Sequence, residues 1–231
     1  MDFFLDSLKS ALLLLWSLDP ELFFIIYVSL KVSFTATVFA GLAGIPCGFL
    51  IALRDFPGKK ALATFLNSML ALPTVVVGLF VYAFISRRGV LGFLDLLYTQ
   101  TAMVIGQFIL ILPIVITFTS AAVSQVDSRF RKTALTLGAT QFQAALLIFG
   151  EARFGIVASM IAAFGRVVSE IGIAMMLGGN IKGFTRTMTT AMALEYDKGE
   201  FVLAVALGIV LLLISVCLNV VFRMIQGRSR I

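Results

Sequence analysis

The sequence predicts an all-α integral membrane protein with about five transmembrane helices, and three observations predict it. The chain of 231 residues is 60% hydrophobic and only 13% charged, against about 45–50% apolar and about 25% charged in a typical soluble domain. Its mean hydropathy is +1.07. The apolar residues gather into runs of the ~20 residues that a helix needs to cross a bilayer, at 22–53, 61–85, 101–123, 155–178 and 201–223.

Residues 1–21 form an N-terminal segment. Its apolar stretch at 7–18 lies between Asp6 and Asp19-Pro20 and is too short to span, so it reads as an interfacial helix with Trp16 at headgroup level. Asp2 and Asp6 stand where a signal peptide carries basic residues, and no small-residue cleavage site follows Leu12–Leu15; no cleavable signal is expected. Residues 22–225 form one transmembrane domain, and 226–231 a cytoplasmic tail. The first span is long enough to tilt or to extend past the bilayer. Pro46, Pro73 and Pro113 are expected to kink or end helices, and Gly41-Leu42-Ala43-Gly44 permits close helix approach.

Charge sets the orientation. With the N-terminus outside, ten basic residues fall on the cytoplasmic side: Arg54, Lys59, Lys60, Arg129, Arg131, Lys132, Arg153, Arg223, Arg228 and Arg230. Six fall outside: Lys9, Arg87, Arg88, Lys182, Arg186 and Lys198. The bias predicts N-out and C-in, with Arg87-Arg88 against it. The net charge of +6 is thus explained by topology, and no basic-aromatic surface for nucleic acid accompanies it.

Composition also excludes much chemistry. The chain has no His, and its two cysteines, Cys47 and Cys217, lie apart inside apolar runs. They read as small core-like side chains, with no metal site and no disulfide framework. No acid-base pair for an enzyme is evident, and no G-x4-G-K-[ST] phosphate loop is present. No internal repeat of the kind found in inverted-repeat carriers is visible.

The inner connection at 124–154 is mostly polar or amphipathic. Lys132 to Leu137 suits a short helix, Gly138 breaks it, and Gln141 to Phe149 suits a second. Glycine fits such a break because it adopts positive φ without a Cβ clash. Over 129–154 the stretch resembles the coupling segment of ATP-binding-cassette (ABC) importer permeases, E-A-A-x3-G-x9-I-x-L-P. Ala134, Gly138-Ala139 and Ile148 fall where that pattern requires them; Lys132-Thr133 replace Glu-Ala and Gly150-Glu151 replace Leu-Pro. Ser29-Leu30-Lys31-Val32-Ser33, the Pro46 and Gly48 pair and Leu70-Ala71-Leu72-Pro73-Thr74-Val75-Val76-Val77-Gly78 look like the first two helices of molybdate-type permeases. Ser169-Glu170-Ile171-Gly172 and Gly183-Phe184-Thr185-Arg186-Thr187 look like their fourth helix and outer loop. The resemblance covers about 22–225. Within the molybdate, tungstate and sulfate oxyanion group, the stretches at 169–181 and 185–192 look most like tungstate permeases.

The resemblance implies a type I ABC importer transmembrane domain that works as a homodimer in a prokaryotic cytoplasmic membrane. It also implies two ATPase subunits, which hold the ATP and Mg, and an extracytoplasmic oxyanion-binding protein. No cofactor is expected in this chain. Coupling to the ATPase would fall to Lys132, Thr133, Ala134, Leu137, Gly138, Ala139, Thr140 and Ile148. Thr185, Arg186 and Thr187 would meet the binding protein. Molybdate or sulfate is the alternative substrate. An ion channel or secondary carrier is the alternative class, distinguished by transport that continues without the ATPase; a membrane scaffold would show no flux.

Lys31, Arg166 and Glu170 interrupt apolar runs, and such groups usually face protein or water. Arg166 and Glu170 stand four apart, so one helical face can pair them. That pair can fix helix packing or meet substrate, and both roles are open; Lys31 can snorkel to the outer surface. A path for a dianion is expected to hold it weakly, through hydroxyls and backbone N–H groups. Thr35, Thr37, Thr74 and Ser169 are the candidate hydroxyls, with Pro73 beside them, although each hydroxyl can equally bond its own helix backbone.

Overall fold

The first span begins where Asp19 and Pro20 say it should. The Asp19 side chain accepts from the Leu22 N–H at 2.9 Å, and Pro20 occupies the first helical position, where its missing N–H costs nothing. The helix that follows, α2 (Pro20–Leu53), is preceded by α1 (Asp2–Trp16). The computed structural model describes residues 2–227, with side chains over 9–224. Residues 228–231 of the expected tail, Arg228 and Arg230 included, lie outside the described residues, as do the side chains of Asp2 and Asp6.

After α2 come α3 (Lys59–Met69), α4 (Thr74–Ile85), a 3-10 turn at Gly92–Leu94, α5 (Gln100–Ser124), α6 (Ser128–Thr136), α7 (Gln141–Val168), α8 (Gly172–Gly178), α9 (Met188–Lys198) and α10 (Phe201–Gly227). Among the described residues, four helices, α2, α5, α7 and α10, are long and apolar enough to cross a membrane. The pair α3 and α4 makes a fifth span only as a broken one, bent by 99°. The expected span over 61–85 is thus two helices, and the break falls at Pro73, where a kink or helix end was expected. Pro73 starts α4 with φ −63° and ψ 128°, and the residue before a proline is pushed out of the helical region.

The fourth expected span is corrected. It is not 155–178: α7 runs unbroken from Gln141 to Val168, so the second helix of the inner hairpin and the span are one rod. Gly150 and Gly155 do not interrupt it, because mid-helix glycine costs only about 1 kcal/mol. Gly155 in addition lets Ala122 of α5 come close; a Cβ there would lie 2.5 Å from the Ala122 Cβ. The rod of 28 residues is about 42 Å long at ~1.5 Å per residue, enough to carry a cytoplasmic element on a transmembrane core.

The core is the α2–α5–α7 triad with α4 and α8 against it. Ala40, Leu110, Ile111, Val115, Ala163 and Val167 fill its centre. Glycines set the spacing. At Gly44 a Cβ would meet Val115 at 2.9 Å, and at Gly48 it would meet the Ile116 carbonyl oxygen at 2.5 Å. Small residues thus bring α2 and α5 into near backbone contact, as membrane helices commonly do. A second cluster, including Leu22, Ile25, Met188 and Leu207, ties α1, α9 and α10 to α2. α1 seats Ala11 in it and leaves Trp16 exposed. The cysteines are corrected too: Cys47 and Cys217 are exposed on the outside of their helices rather than in the core.

Candidate functional site

The inner hairpin is a stiff elbow. Asp127 caps α6 by accepting from the Arg129 N–H at 2.8 Å. Thr140 caps α7 in a reciprocal box with Gln143. Between them Gly138 has φ +89° and open space where a Cβ would be, so the backbone conformation demands glycine, not crowding. Arg131 spans the turn, donating from a guanidinium nitrogen to Gln141 Oε1 at 3.0 Å.

This elbow presents apolar surface to its surroundings. Leu137 is 82% exposed and Phe142 72%. Lys132, Thr133, Gly138 and Thr140 are exposed, and Ala134 and Ala139 half-buried. Ile148 corrects its expected role: it is buried with Val123, Ala152 and Ile156. It stands at four-residue spacing from Ala144 and Ala152, on the face turned to the core, so it seats the rod and meets no partner.

A second constellation sits where α7 ends. The helix stops at Val168, and Arg166 reaches across that end to Glu170, its guanidinium 2.8 Å from Oε2. The pair is therefore not on one helical face as expected. Glu170 lies beyond the helix, where its Oε1 accepts from the Ile173 N–H at 3.3 Å and satisfies the first turn of α8. Its backbone carbonyl accepts from the Thr189 hydroxyl at 2.8 Å. Thr74, the first residue of α4, stands opposite: a Cβ on Gly172 would lie 3.0 Å from Thr74 Oγ1 and 3.3 Å from Glu170 Oε1. Three elements with broken or frayed ends thus meet at one polar point.

The structure brings Thr74, Arg166 and Glu170 together, with exposed Pro73 and Ser169 next to them in the chain. The remaining hydroxyls are spent on their own helices. Thr35 donates to the Lys31 carbonyl and Thr37 to the Ser33 carbonyl, each at 2.7 Å. Ser169 donates to the Gly165 carbonyl at 3.1 Å. Lys31 is not free to snorkel alone: its Nζ donates to Gln100 Oε1 at 3.0 Å, and Gln100 Nε2 donates to the Phe184 carbonyl at 2.6 Å.

Thr185, Arg186 and Thr187 are a correction. All three are buried and present no surface for a binding protein. Thr185 donates to the Gly178 carbonyl and accepts from the Ile181 N–H, closing the turn at 179–184. Arg186 lies 3.7 Å from Glu21, which Lys182 also pairs at 2.7 Å. Thr187 caps α9 in a box with Thr190. The stretch read as an outer loop is a buried turn that leads into α9, because its threonines supply turn and cap bonds that local sequence spacing alone did not distinguish from solvated hydroxyls.

Two polar residues were missed. Ser29 accepts from the Met188 N–H at 2.6 Å while donating to the Ile25 carbonyl at 3.0 Å, joining α2 to the start of α9. Gln107, buried within α5, has an Oε1 without a hydrogen-bond partner. The signal for Gln107 was available: an amide inside an apolar run is as notable as a charge.

Comparison with known proteins places this geometry in a lineage. The family described as "Binding-protein-dependent transport system inner membrane component" matches residues 44–231. The tungstate uptake system permease protein TupB of Peptoclostridium acidaminophilum is 38% identical, over 98% of this chain and 99% of that protein. TupB of Campylobacter jejuni subsp. jejuni is 40% identical, over 95% of this chain and 92% of its own. Among solved structures, an inward-facing MetNI methionine ABC transporter aligns with a TM-score of 0.66 at 16% identity, over 89% of this chain and 96% of that one. The expected fold, a type I ABC importer transmembrane domain, is the fold observed. The chain belongs to the family of binding-protein-dependent transport system inner membrane components.

Proposed function

We propose that this chain is the membrane-spanning permease subunit of an ATP-driven tungstate importer. The observation that carries the reading is the 38–40% identity, across almost the whole chain, to two permeases named for tungstate uptake. The elbow supports the mechanism. A rigid helix–Gly138–helix unit, continuous with a transmembrane rod, transmits a push from an ATPase groove to the far side of the membrane. In this reading two copies of the chain pair, with N-termini outside and C-termini inside. ATP and Mg are held by separate ATPase subunits, and a binding protein delivers the oxyanion. The permease itself catalyses nothing and carries no cofactor.

Transit then runs past the junction of α4, α7 and α8. Arg166 is 40% exposed and Glu170 3%. A guanidinium whose charge is already offset by a buried carboxylate attracts a dianion without trapping it, while the Thr74 hydroxyl adds a neutral donor.

The test is metal uptake by mass spectrometry in cells lacking this gene, with and without restored expression. Tungstate and molybdate are supplied separately at low concentration, with ATP-depleted controls. Restored ATP-dependent tungstate accumulation, barely reduced by excess molybdate, is expected. Equal restoration of both removes the substrate assignment, and uptake that survives ATP depletion removes the importer.

A further inference from the structure

The loop after α4 carries Arg87 and Arg88, the pair that runs against the charge bias orienting the chain. It folds back tightly on the helix end. The Gly89 N–H donates to the Ser86 carbonyl at 2.7 Å, and the Leu91 N–H to the Phe84 carbonyl at 2.9 Å. A Cβ on Gly92 would lie 2.5 Å from the Ser86 oxygen, and one on Gly89 would strike the Ala83 oxygen. The carbonyls of Tyr82, Phe84 and Ser86 are all taken by backbone N–H groups, so neither guanidinium is spent on the end of α4. Among the described residues, Arg87 and Arg88 also have no carboxylate within ion-pair distance.

Both arginines line a cavity of about 670 Å³, together with Tyr82, Asp95 and Tyr98. Tyr98 is fixed there by its backbone. Its φ is +63°, a value that a bulky side chain rarely adopts, and its N–H donates to the Leu177 carbonyl at 2.8 Å. Its ring lies flush on Gly179, where a Cβ would stand 2.7 Å from it. Tyr82 holds the Tyr98 phenol above its ordinary pKa, first through charge and then through a side-chain hydrogen bond, and burial adds to both. Tyr98 therefore keeps its proton at neutral pH. Two hydroxyls bonded to each other use one proton between them, which leaves one O–H to give.

The same two tyrosines begin a second cavity, of about 620 Å³, which continues between α4 and α8 past Leu79, Met175 and Met176. Tyr82 is only ~12 Å along α4 from Thr74, at ~1.5 Å per residue. The tyrosines thus stand between the arginines and the junction of Thr74, Arg166 and Glu170. The first cavity sets two cations against the one carboxylate of Asp95, a net positive field, with a neutral donor at the end nearer the junction. A tetrahedral dianion needs both: charge to draw it in and a hydroxyl to orient one of its oxygens.

We propose that this cavity is a receiving site for the transported oxyanion, with Arg87 and Arg88 offsetting its charge and the Tyr82–Tyr98 pair donating to one of its oxygens. The inference rests on the importer reading. The site adjoins the start of α5, whose other end leads into the elbow, so receipt of substrate and coupling occupy opposite ends of one helix.

The test is thiol-labelling kinetics on the purified full chain in detergent, without ATP. Cys47→Ala and Cys217→Ala remove the native thiols. Ser86→Cys then reports from the cavity, and Ser128→Cys from the elbow, which is also exposed and basic. Each thiol reacts with a sulfonate-bearing or a trimethylammonium-bearing methanethiosulfonate, with and without tungstate at constant ionic strength. At position 86 the anionic reagent is expected to react about tenfold faster than the cationic one, and saturating tungstate to protect the thiol; at position 128 tungstate leaves the rate unchanged. R87Q with R88Q removes both the preference and the protection at position 86, while R87K with R88K retains the preference. Y82F with Y98F keeps the preference, but half-protection then needs about tenfold more tungstate. Equal protection at positions 86 and 128 overturns the proposal, as does protection that survives R87Q with R88Q. Anionic preference at position 86 without protection by tungstate overturns it too, and assigns the arginines to an acidic protein surface instead. Because no ATP is present, the site can fail here while ATP-dependent uptake stands, and uptake can fail while the site stands.

Discussion

Arg166 and Glu170 are joined at 2.8 Å across the end of a helix, with the cation half in solvent and the carboxylate almost fully buried. That asymmetry decides which partner matters more for stability. Removing the cation strands a buried negative charge, whereas neutralising the acid leaves a cation that water can reach. Arg166→Met is expected to cost about 2–3 kcal/mol, discounted from the fully buried case for the exposure of the guanidinium. Glu170→Gln should cost roughly half of that, since the amide oxygen can still accept from the Ile173 N–H. The double variant should be more stable than Arg166→Met alone. Thermal unfolding in detergent checks the order; a double variant worse than either single one refutes the pairing.

Ser29→Ala is the second prediction. The hydroxyl is the acceptor for the Met188 N–H, 2.6 Å away and far along the chain. Alanine leaves that buried N–H without a partner, a loss of about 1–3 kcal/mol. The capped start of α9 should loosen first, so amide exchange is expected to accelerate at 188–191 before it does in the core of α5. Uniform acceleration across the chain would contradict the assignment.

Three glycines separate three causes. At Gly48 a Cβ would lie 2.5 Å from a backbone oxygen of α5, and backbone cannot move aside cheaply. Gly48→Ala should therefore destabilise by about 1–3 kcal/mol. Gly150 is helical with nothing within 4 Å, so Gly150→Ala should stabilise by about 0.5–1 kcal/mol. Gly138 also has open space, yet its φ of +89° makes Gly138→Ala cost about 1–2 kcal/mol. Denaturation midpoints of the three variants should order as Gly150→Ala, then Gly138→Ala, then Gly48→Ala.

Long uncharged runs made the membrane class legible, and the spacing around Gly138 made the elbow legible. Gly138 shows why: positive φ and a helix stop are local properties, written in one residue and its neighbours. The break in the second span was legible at Pro73, whereas the break in the fourth was not, because hydropathy is blind to direction. Leu70-Ala71-Leu72-Pro73 is as apolar as any span, and only the proline's constraint on its neighbour turns it. Ser169-Glu170-Ile171 bends because Glu170 finds a new helix to cap, a contact made after folding. The buried threonines at 185–190 escaped for the same reason. A cap and a solvated hydroxyl look alike in sequence, and their partners, Gly178 and Glu170, lie up to 19 residues away.

The elbow's exposed apolar residues carry the last prediction. Leu137 has most of its surface in solvent, so Leu137→Ala removes no packing within this chain and should leave thermal stability within about 0.5 kcal/mol. If the elbow seats in an ATPase groove, the same change deletes an anchor and should weaken that association by about 1–2 kcal/mol, roughly 5- to 30-fold in affinity. Gly138→Glu should go further, adding charge and bulk at the turn and a Cβ to a left-handed backbone. ATP hydrolysis by the assembled complex is then expected to continue without import. Pull-down of the ATPase by purified permease, followed by hydrolysis and uptake in proteoliposomes, separates the two effects. Normal uptake by Gly138→Glu at normal expression would remove the elbow from the coupling path.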